Sequence, residues 1–492
     1  MPQYLDGVRL LHHQEPQTTT DATLTFAVGA RDETLPTVGV AHALEHLVMS
    51  TVRRLPIQID ATVSTTTTSF VASGTQERVG EFLTGVCAAL SAPPVERLEV
   101  EAGVLAAEDG WVTHPMAALL YHVRYGARGA GLAWLDGPGP DGITAGQVNA
   151  FARTWFTADN AVLQITGPIP DGLELALPQG TRPKHTRYGV RSFSGPVFVE
   201  HEIPGAAVVL ELPDGDGARQ SALVVDVLQQ RIEENCRHVG GHSYVVDTDS
   251  LRRPDSRMDW VFYAEAREGH DENVALAVGR ALTTLAADGP TADELELALD
   301  RFEEVRITTD VELRREFNQL TAELLDEPAR EELDVGQMRA VRPEQIAAAL
   351  TAALRSAVAY GSFEGSRGWV DLDFEETTLC PADDGELPEG QVFRPTFGAR
   401  AFSREARAMT LVLTADGLTM RDEDGVHRVP WDGVAGVMRI KDGTLVVFGG
   451  NGCVIPVSRH LYRGGAKAVA ELEQRVDMAL WFDESRFKAR ED

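Results

Sequence analysis

The residues best placed for chemistry in this sequence form the pentapeptide His42-Ala-Leu-Glu45-His46. Two imidazoles four positions apart lie one turn apart on a helix, so both rings can reach one metal ion at about 2 Å, with a carboxylate beside them. Zinc is the metal that these ligand types favour. The pentapeptide therefore predicts a zinc centre, although a surface helix that carries two histidines would show the same spacing.

Such a centre needs a helix with one apolar and one polar face. Residues 38–52 have this periodicity, and the apolar positions opposite the pentapeptide's polar side chains are Val40, Leu44, Leu47 and Val48. We expect the apolar face to be buried and the polar face to line a cleft.

The elements around this helix form an α+β unit of about 180 residues. Strands are predicted at 22–28, 59–71 and 161–166, and helices at 38–52, 77–90, from Pro93 onward, 116–125 and 144–155. A second unit repeats a similar order, with strands at 206–212, 243–246 and 258–264 and helices at 220–236, 272–287, 292–309 and 343–353. The repetition predicts a duplicated fold.

The rest of the chain differs in kind. Residues 376–400 are acidic and rich in Pro and Gly, which predicts a linker, and short strands follow at 410–414, 417–420, 426–431, 436–440 and 444–448, with a helix at 466–481. The predicted fold class is therefore α+β, with two similar α+β domains (1–182 and 195–375), a linker (376–400), and a small β-barrel or sandwich with a C-terminal helix (401–492).

Composition limits the function classes. The chain has 492 residues and a formal charge of −30, which argues against nucleic acid as a partner because phosphate binding needs a positive field. No apolar run approaches the roughly 20 residues that cross a bilayer, and the N-terminus lacks the order of a secretory signal. These features predict a soluble, cytoplasmic protein.

Four cysteines (Cys87, Cys236, Cys380 and Cys453) lie far apart without a Cys-x-x-Cys pair. This spacing indicates neither a disulfide framework nor a thiolate zinc site. It favours scattered buried thiols.

The segment before the pentapeptide, Gly29-Ala-Arg-Asp-Glu-Thr followed by Val38-Gly-Val-Ala, adds a family resemblance. Together with the pentapeptide it resembles the pitrilysin and insulinase family of inverted-motif (HxxEH) zinc peptidases, whose pattern is a strand, a Gly-x-Arg-x-Glu turn and Gly-x-Ala-His-x-Leu-Glu-His. The resemblance is to the two-domain bacterial type. It implies that residues 1–182 are the zinc-binding peptidase domain and 195–375 a second peptidase-like domain.

The resemblance also implies a third zinc ligand. The family has two glutamates seven residues apart on a downstream helix, and the later one binds zinc; Glu101-Ala-Gly-Val-Leu-Ala-Ala-Glu108 fits this spacing, which puts both carboxylates on one helix face. Glu108 is thus implied as a ligand of one zinc per chain, together with His42 and His46. Glu101 is implied as its supporting residue, although a solvated helix charge is an equal alternative. Glu45 is then the base for the attacking water.

Further matches concern the substrate. Asp60-Ala61-Thr62 and the later Thr68-Ser-Phe70 look like the family's edge strand, to which a peptide adds by main-chain hydrogen bonds, although Asp60 replaces the family's Asn.

Arg237 and Tyr244, seven residues apart in the second half, resemble the family's pair that faces the substrate and stabilises an oxyanion. Because the family encloses its site with four such units and this chain has two, the resemblance implies a homodimer, or a heterodimer with a related chain, with composite sites.

The C-terminal segment resembles a bacterial pleckstrin-homology-like domain, with Pro430-Trp431 followed by strands and a helix. Its near-neutral charge gives little support to lipid or membrane contact. As a whole, the resemblance implies a zinc-dependent metalloendopeptidase that hydrolyses short or unfolded peptides. The alternative is a non-catalytic scaffold or binding subunit of the same architecture.

Overall fold

The computed structural model describes residues 3–15, 18–108, 112–308, 311–328 and 333–485. In this part of the chain, the first half contains one six-stranded sheet with helices packed on it. Its strands are β1 (Gln3–Leu5), β2 (Val8–His13), β3 (Thr19–Phe26), β4 (Gln58–Val63), β5 (Thr68–Thr75) and β6 (Ala161–Thr166). Its helices are α1 (Val40–Val52), α2 (Gln76–Ser91), α3 (Leu98–Leu105), α4 (Pro115–Tyr125) and α5 (Ala145–Trp155).

The strand order of this sheet is β1-β2-β6-β3-β5-β4, and all neighbours are antiparallel except β2 and β6. The predicted strand at 59–71 is a hairpin, because the polar turn between Val63 and Thr68 breaks the run into β4 and β5. The apolar face of α1 packs into the core of this half, and Val40, Leu44 and Leu47 have no exposed surface. This confirms the amphipathic helix predicted from the sequence.

The second half contains another six-stranded sheet. Its strands are β7 (Val197–His201), β8 (Gly205–Pro213), β9 (Val246–Arg252), β10 (Arg257–Glu265), β11 (Val358–Ser362) and β12 (Glu375–Glu376). Its helices are α6 (Ala218–Glu233), α7 (Asp271–Asp288), α8 (Ala292–Thr308), α9 (Val311–Leu324), α10 (Val335–Met338), α11 (Pro343–Leu354) and α12 (Arg367–Val370).

The strand order in the second sheet is β12-β7-β11-β8-β10-β9. Strands β7 and β11 are parallel, as β2 and β6 are in the first sheet. The neighbours that follow β11 in this order are antiparallel. The run β7-β11-β8-β10-β9 thus repeats β2-β6-β3-β5-β4 in order and direction. The mixed α+β class and the similarity of the halves agree with the prediction.

Helix α4 joins the two halves, because it packs on the second sheet although it belongs to the first half by sequence. Met116, Leu119 and Tyr121 are completely buried against side chains of β7, β8, β10 and β11. Polar contacts at its end add to the interface, with Arg124 2.9 Å from Glu211. A helix that is apolar on nearly every side is buried on nearly every side, as this one is.

The C-terminal segment contains two four-stranded sheets, ordered β13-β14-β15-β16 and β19-β18-β17-β20. The strands are β13 (Gln391–Phe393), β14 (Thr410–Leu413), β15 (Gly417–Arg421), β16 (Val426–Pro430), β17 (Val434–Arg439), β18 (Leu445–Gly449), β19 (Val454–Val457) and β20 (Trp481–Asp483). The helices are α13 (Phe397–Phe402), α14 (Glu405–Ala408) and α15 (Gly465–Arg475).

No strand ladder joins the two C-terminal sheets within the described ranges, so they form a closed barrel neither alone nor together. The helix predicted at 466–481 is too long. Helix α15 ends at Arg475, and the apolar residues Trp481 and Phe482 instead form β20, which runs parallel to β17. A helical apolar spacing and a buried strand look alike over so few residues.

The prediction of four scattered thiols is wrong for one pair. Cys380 and Cys453 form a disulfide, while Cys87 and Cys236 are buried free thiols. The two bonded cysteines are 73 residues apart in sequence. They meet only because strand pairing in the C-terminal segment brings distant loops together, so their spacing carries no signal.

Among the described helices, none is both long and apolar enough to cross a membrane.

Candidate metal centre

Helix α1 positions three of the predicted site residues. It begins after Gly39, whose φ of +87° lies in the left-handed region that glycine tolerates. The buried Glu33 carboxylate accepts hydrogen bonds from the backbone N–H groups of Gly39 (2.8 Å) and Ala41 (2.9 Å). Glu33 thus anchors the first turn of α1, immediately before His42.

Burial raises the pKa of Glu33 to about 8, while the two backbone donors act in the opposite direction. The sequence pattern Gly-x-Arg-x-Glu contains Glu33, but its anchoring role was missed. An acidic residue shortly before a helix that lacks a Ser, Thr, Asp or Asn cap is the signal that could have revealed it.

The three predicted ligands come together in the structure. The Glu108 Oε2 atom lies 3.3 Å from His46 Nε2 and 3.8 Å from His42 Nε2. One ligand atom from each of the three residues lies within 4.8 Å of the other two. The histidine rings are 4.8 Å apart between centroids and almost perpendicular, at 79°.

These separations fit a zinc ion. Ligand atoms bound to one zinc at about 2.0–2.2 Å in tetrahedral geometry are roughly 3.3–3.6 Å apart. The Glu108 distances to the two imidazoles, 3.3 and 3.8 Å, bracket that range. Burial lowers the pKa of His42, and the neighbouring His46 lowers it further, which favours the neutral imidazole that binds metal.

Glu108 reaches the site from a turn and not from the helix that the sequence predicted. Helix α3 ends at Leu105, although the Glu108 N–H still donates to the Val104 carbonyl at 3.1 Å. The turn that follows α3 keeps Glu101 and Glu108 on the same side of the segment. Both glutamates therefore lie near His46, as predicted, although the helix ends earlier than expected.

Glu101 is buried and contacts a ligand from behind. Its Oε2 atom is 3.9 Å from His46 Nδ1, on the ring edge opposite the nitrogen near Glu108. Its Oε1 atom accepts a hydrogen bond from Arg97 at 2.5 Å. The structure therefore favours a contact role for Glu101 over the solvated helix charge that the sequence left open, and it adds Arg97, which sequence reasoning missed.

Glu45 lies beside the ligands. Its Oε2 atom is 3.8 Å from His42 Nε2 and 3.9 Å from His46 Nε2, and the side chain is largely buried. Burial raises its pKa to about 7, and the negative charges of Glu108 and Asp60 add to this. The carboxylate that sequence reasoning singled out as a base is thus held close to the three ligands.

The predicted substrate strand lies at an edge. Strand β4, which carries Asp60, Ala61 and Thr62, is the last strand of its sheet and pairs only with β5 among the described strands. The Asp60 carboxylate accepts a hydrogen bond from the N–H of Ala61 at 2.9 Å, and its charge acts on Glu45. This free edge therefore runs close to the candidate metal centre.

Arg237 and Tyr244 lie in the second half and make their contacts there. Arg237 is on a π-helical turn, Glu234–Val239, that continues α6, and it pairs with Glu233 at 3.2 Å. Tyr244 is 74% exposed, and the Arg267 guanidinium lies over its ring. Tyr244 precedes β9, so the strand predicted at 243–246 begins later than expected. The structure leaves both side chains at the surface and does not bring them to the metal ligands within one chain.

Comparison with known proteins finds similar folds among solved structures. No family model matches the chain, and no curated protein matches it. A protease from Helicobacter pylori has a TM-score of 0.58 at 14% identity, covering 74% of this chain and 98% of that one. An inactive peptidase M16 domain from Pseudomonas fluorescens has a TM-score of 0.56 at 16% identity, covering 74% and 97%.

A chain of complex III2 from Candida albicans also matches, with a TM-score of 0.55 at 12% identity over 77% of this chain and 100% of that one. At these identities the likeness concerns the fold alone. The chain has the mixed α+β fold of the pitrilysin-type (M16) peptidases, a fold shared by a protease and by a domain described as inactive. Activity must therefore be argued from the residues of the site.

Proposed function

We propose that this chain is a zinc-dependent metalloendopeptidase, with one zinc held by His42, His46 and Glu108. The observation that carries the proposal is the convergence of these three side chains, at distances that fit one zinc ion. The inactive relative of the same fold makes a scaffold the alternative. The presence of the ligand set together with an acidic residue beside it favours the enzyme.

In the proposed reaction, Glu45 acts as the general base. Its carboxylate accepts a proton from the water that attacks the scissile carbonyl and passes the proton to the departing amine. Zinc at this site supplies a Lewis acid that polarises the reacting oxygen. His42, His46 and Glu108 would hold the ion, and three protein ligands are the number typical of catalytic zinc sites.

Two carboxylates position this machinery. Glu101 lies 3.9 Å from His46 Nδ1, where its carboxylate would favour the ring orientation that leaves Nε2 for the metal, and Arg97 holds Glu101 in turn. Glu33 holds the first turn of α1 through the backbone of Gly39 and Ala41. Both act through α1 and do not need to touch the substrate.

The free edge of β4 supports a peptide as the substrate. A peptide in extended conformation would add to this edge through the main chain near Asp60, Ala61 and Thr62, next to Glu45. Short or unfolded peptides present an extended backbone most readily in this way. The Asp60 carboxylate adds negative charge at the edge.

Removal of the metal provides the direct test of this function. Incubation of the purified chain with a chelator should reduce cleavage of a quenched-fluorescence peptide mixture to background, and stoichiometric zinc should restore it. Cleavage that persists after the chelator has removed all zinc would contradict the proposal. A chain that cleaves nothing even with zinc bound would favour the scaffold.

For the assembly we propose a homodimer, with a related second chain as the alternative partner. Arg237 and Tyr244 are exposed, and their charge and phenol are groups that stabilise an oxyanion. In a two-fold dimer each pair would serve the zinc site of the opposite subunit. The strongly acidic chain makes nucleic acid an unsuitable partner.

Mixing two defective variants tests shared sites. Alone, His46→Ala is expected to lack metal and Arg237→Ala to lack its oxyanion donor. After subunit exchange at equal amounts, half of the dimers contain one of each chain and one complete site, so about one quarter of wild-type activity should return. Mixing His46→Ala with Glu45→Gln, which damages the same half of the site, is the control and should restore nothing. Absence of recovery in the first mixture, with exchange verified, would contradict shared sites.

For residues 401–492 we propose a pleckstrin-homology-like module. Two small sheets and the helix α15 are consistent with this resemblance. We propose a docking or dimer-stabilising role for the module in a cytoplasmic enzyme, and not one at a membrane.

A further inference from the structure

We infer that Cys380, His427 and Cys453 form a second metal site, which binds a zinc-type divalent ion when the Cys380–Cys453 pair is reduced and is closed when the pair is oxidised. The cluster joins Cys380, from the stretch predicted as a linker, to two residues of the C-terminal segment, and none of its members belongs to the candidate peptidase centre. It goes beyond the proposed peptidase function and does not depend on it.

The three ligand atoms already lie together. In the oxidised form the two sulfurs are bonded, with Cα atoms 4.6 Å apart, and Cys380 Sγ is 3.0 Å from His427 Nδ1. The donor atoms of all three residues fit within 4.8 Å of one another. Donors bound to one zinc, at about 2.3 Å for sulfur and 2.0 Å for nitrogen, are roughly 3.5–3.8 Å apart, so small side-chain rotations convert one arrangement into the other.

The backbone holds each of these residues in place. Asp383 and Val426 form an isolated antiparallel bridge, which sets the segment after Cys380 beside the start of β16 and thus beside His427. Cys453 lies in the turn between β18 and β19, where its N–H donates to the side chain of Asn451 at 3.1 Å. A site fixed by strand pairing does not need the disulfide to bring its ligands together.

The orientation of His427 provides an independent indication of a ligand role. The His427 Nε2 atom lies 2.9 Å from the Asp422 carboxylate, which leaves Nδ1 facing the sulfurs. Histidines that bind metal commonly donate their other ring N–H to a carboxylate, which fixes the tautomer. A histidine that served only to fill the core would not need its second nitrogen aimed at two cysteines.

Burial also suits a thiolate site. Cys453 is completely buried and His427 is 7% exposed, whereas Cys380 retains some exposure. The two inner ligands are therefore shielded from competing water, and Cys380 offers an approach for a reductant. Two sulfurs and one imidazole favour zinc over the hard cations that prefer oxygen.

The change between the two states balances as dithiol exchange. A dithiol reductant transfers two electrons and two protons to the Cys380–Cys453 disulfide, which becomes two thiols, while the reductant becomes a disulfide. Metal binding then releases the two thiol protons to solvent and forms two metal–sulfur bonds and one metal–nitrogen bond. In a reducing compartment, such as the cytoplasm expected from the sequence, the dithiol form prevails.

The location of the cluster connects it to the first half. The turn that precedes Cys453 packs tightly on the end of α4, where a Cβ on Gly126 would come within 2.3 Å of the Gly450 carbonyl oxygen. Metal binding or disulfide formation would thus brace the C-terminal segment against the helix that joins the two halves.

Zinc counting in the full-length chain tests the inference. The His46→Ala substitution removes the candidate peptidase site, so any zinc that this variant binds reports on the second site alone. After reduction with a phosphine and oxygen-free desalting, this variant should bind one zinc per chain, and after oxidation none. Wild-type chain should gain one zinc on reduction. Cobalt added to the reduced variant should produce a thiolate-to-cobalt charge-transfer absorption.

Matched variants distinguish the cluster from other sites. Cys380→Ser and His427→Ala should each abolish the zinc gained on reduction, while His460→Ala, which removes an exposed histidine of the same segment, should not change it. Equal zinc in the reduced and oxidised chains, or a gain that survives Cys380→Ser, would overturn the inference. Because Cys380 is only partly buried, a serine there should not prevent folding, and thermal unfolding of this variant beside the reduced wild-type chain checks this.

Discussion

The variant Glu45→Gln is expected to lose peptide hydrolysis and keep its zinc. A general base contributes about 10²- to 10⁴-fold to the rate, so kcat/KM should fall by about that factor. The amide has nearly the shape of the carboxylate but cannot accept the proton of the attacking water. Because the ligand atoms that converge belong to His42, His46 and Glu108 and not to Glu45, the metal content should stay at the wild-type value.

Cleavage of a quenched-fluorescence peptide mixture and zinc determination on the same sample measure both parts of this prediction. Glu99→Gln is the matched control, since it removes one exposed carboxylate from the nearby α3 and should leave both values unchanged. Full activity of Glu45→Gln would rule out Glu45 as the base. Loss of zinc in this variant would instead make Glu45 part of the metal shell.

The variant His46→Ala is expected to lose both zinc and hydrolysis. His46 Nε2 is the nitrogen closest to Glu108, at 3.3 Å, so its removal leaves His42 and Glu108 as two ligands that are 3.8 Å apart. Two ligands hold zinc far more weakly than three, and hydrolysis should fall to background at micromolar zinc.

Competition with a chromophoric chelator measures the zinc affinity of the oxidised His46→Ala chain. Wild-type affinity in this variant would show that the ion is bound elsewhere, and the exposed His460→Ala is the control for removing any histidine. Thermal unfolding without metal separates loss of a ligand from loss of the fold. His46 is partly exposed on the polar face of α1, so the fold should survive its truncation.

The parts of the site that depend on local periodicity could be predicted from the sequence. His42, Glu45 and His46 share one face of α1 because a helix turns about 100° per residue, and the opposite face buries Val40 and Leu44 as expected. The position of Glu108 was harder to predict. Helix α3 ends at Leu105, and the turn that carries Glu108 to the histidines has no periodic signal.

Long-range contacts were beyond the sequence. The apolar composition of α4 indicates burial but not that α4 packs on the sheet of the second half. The Cys380–Cys453 disulfide depends on the β-bridge between Asp383 and Val426, which the spacing of residues in the sequence does not predict. Arg97 and Glu101 are four positions apart, a spacing common to many surface ion pairs on helices. Its link to the site is visible only in the structure, where Glu101 also lies beside His46.

The solved structures with this fold differ in activity, so the evidence for catalysis must come from the site residues. A protease, an inactive M16 domain and a chain of complex III2 share the fold at 12–16% identity, so the fold does not decide between catalysis and a structural role. The convergence of His42, His46 and Glu108, with Glu45 beside them, supports catalysis. A chain that had become a scaffold would have no need to retain all four.

The zinc content of the purified, oxidised wild-type chain tests this account most directly, because the Cys380–Cys453 disulfide closes the second site and leaves one place for the ion. The account predicts one zinc per chain, together with cleavage of a quenched-peptide mixture that depends on that zinc. A chain without zinc after equilibration with the metal, and without cleavage, would contradict the account and identify the protein as a scaffold of the same fold.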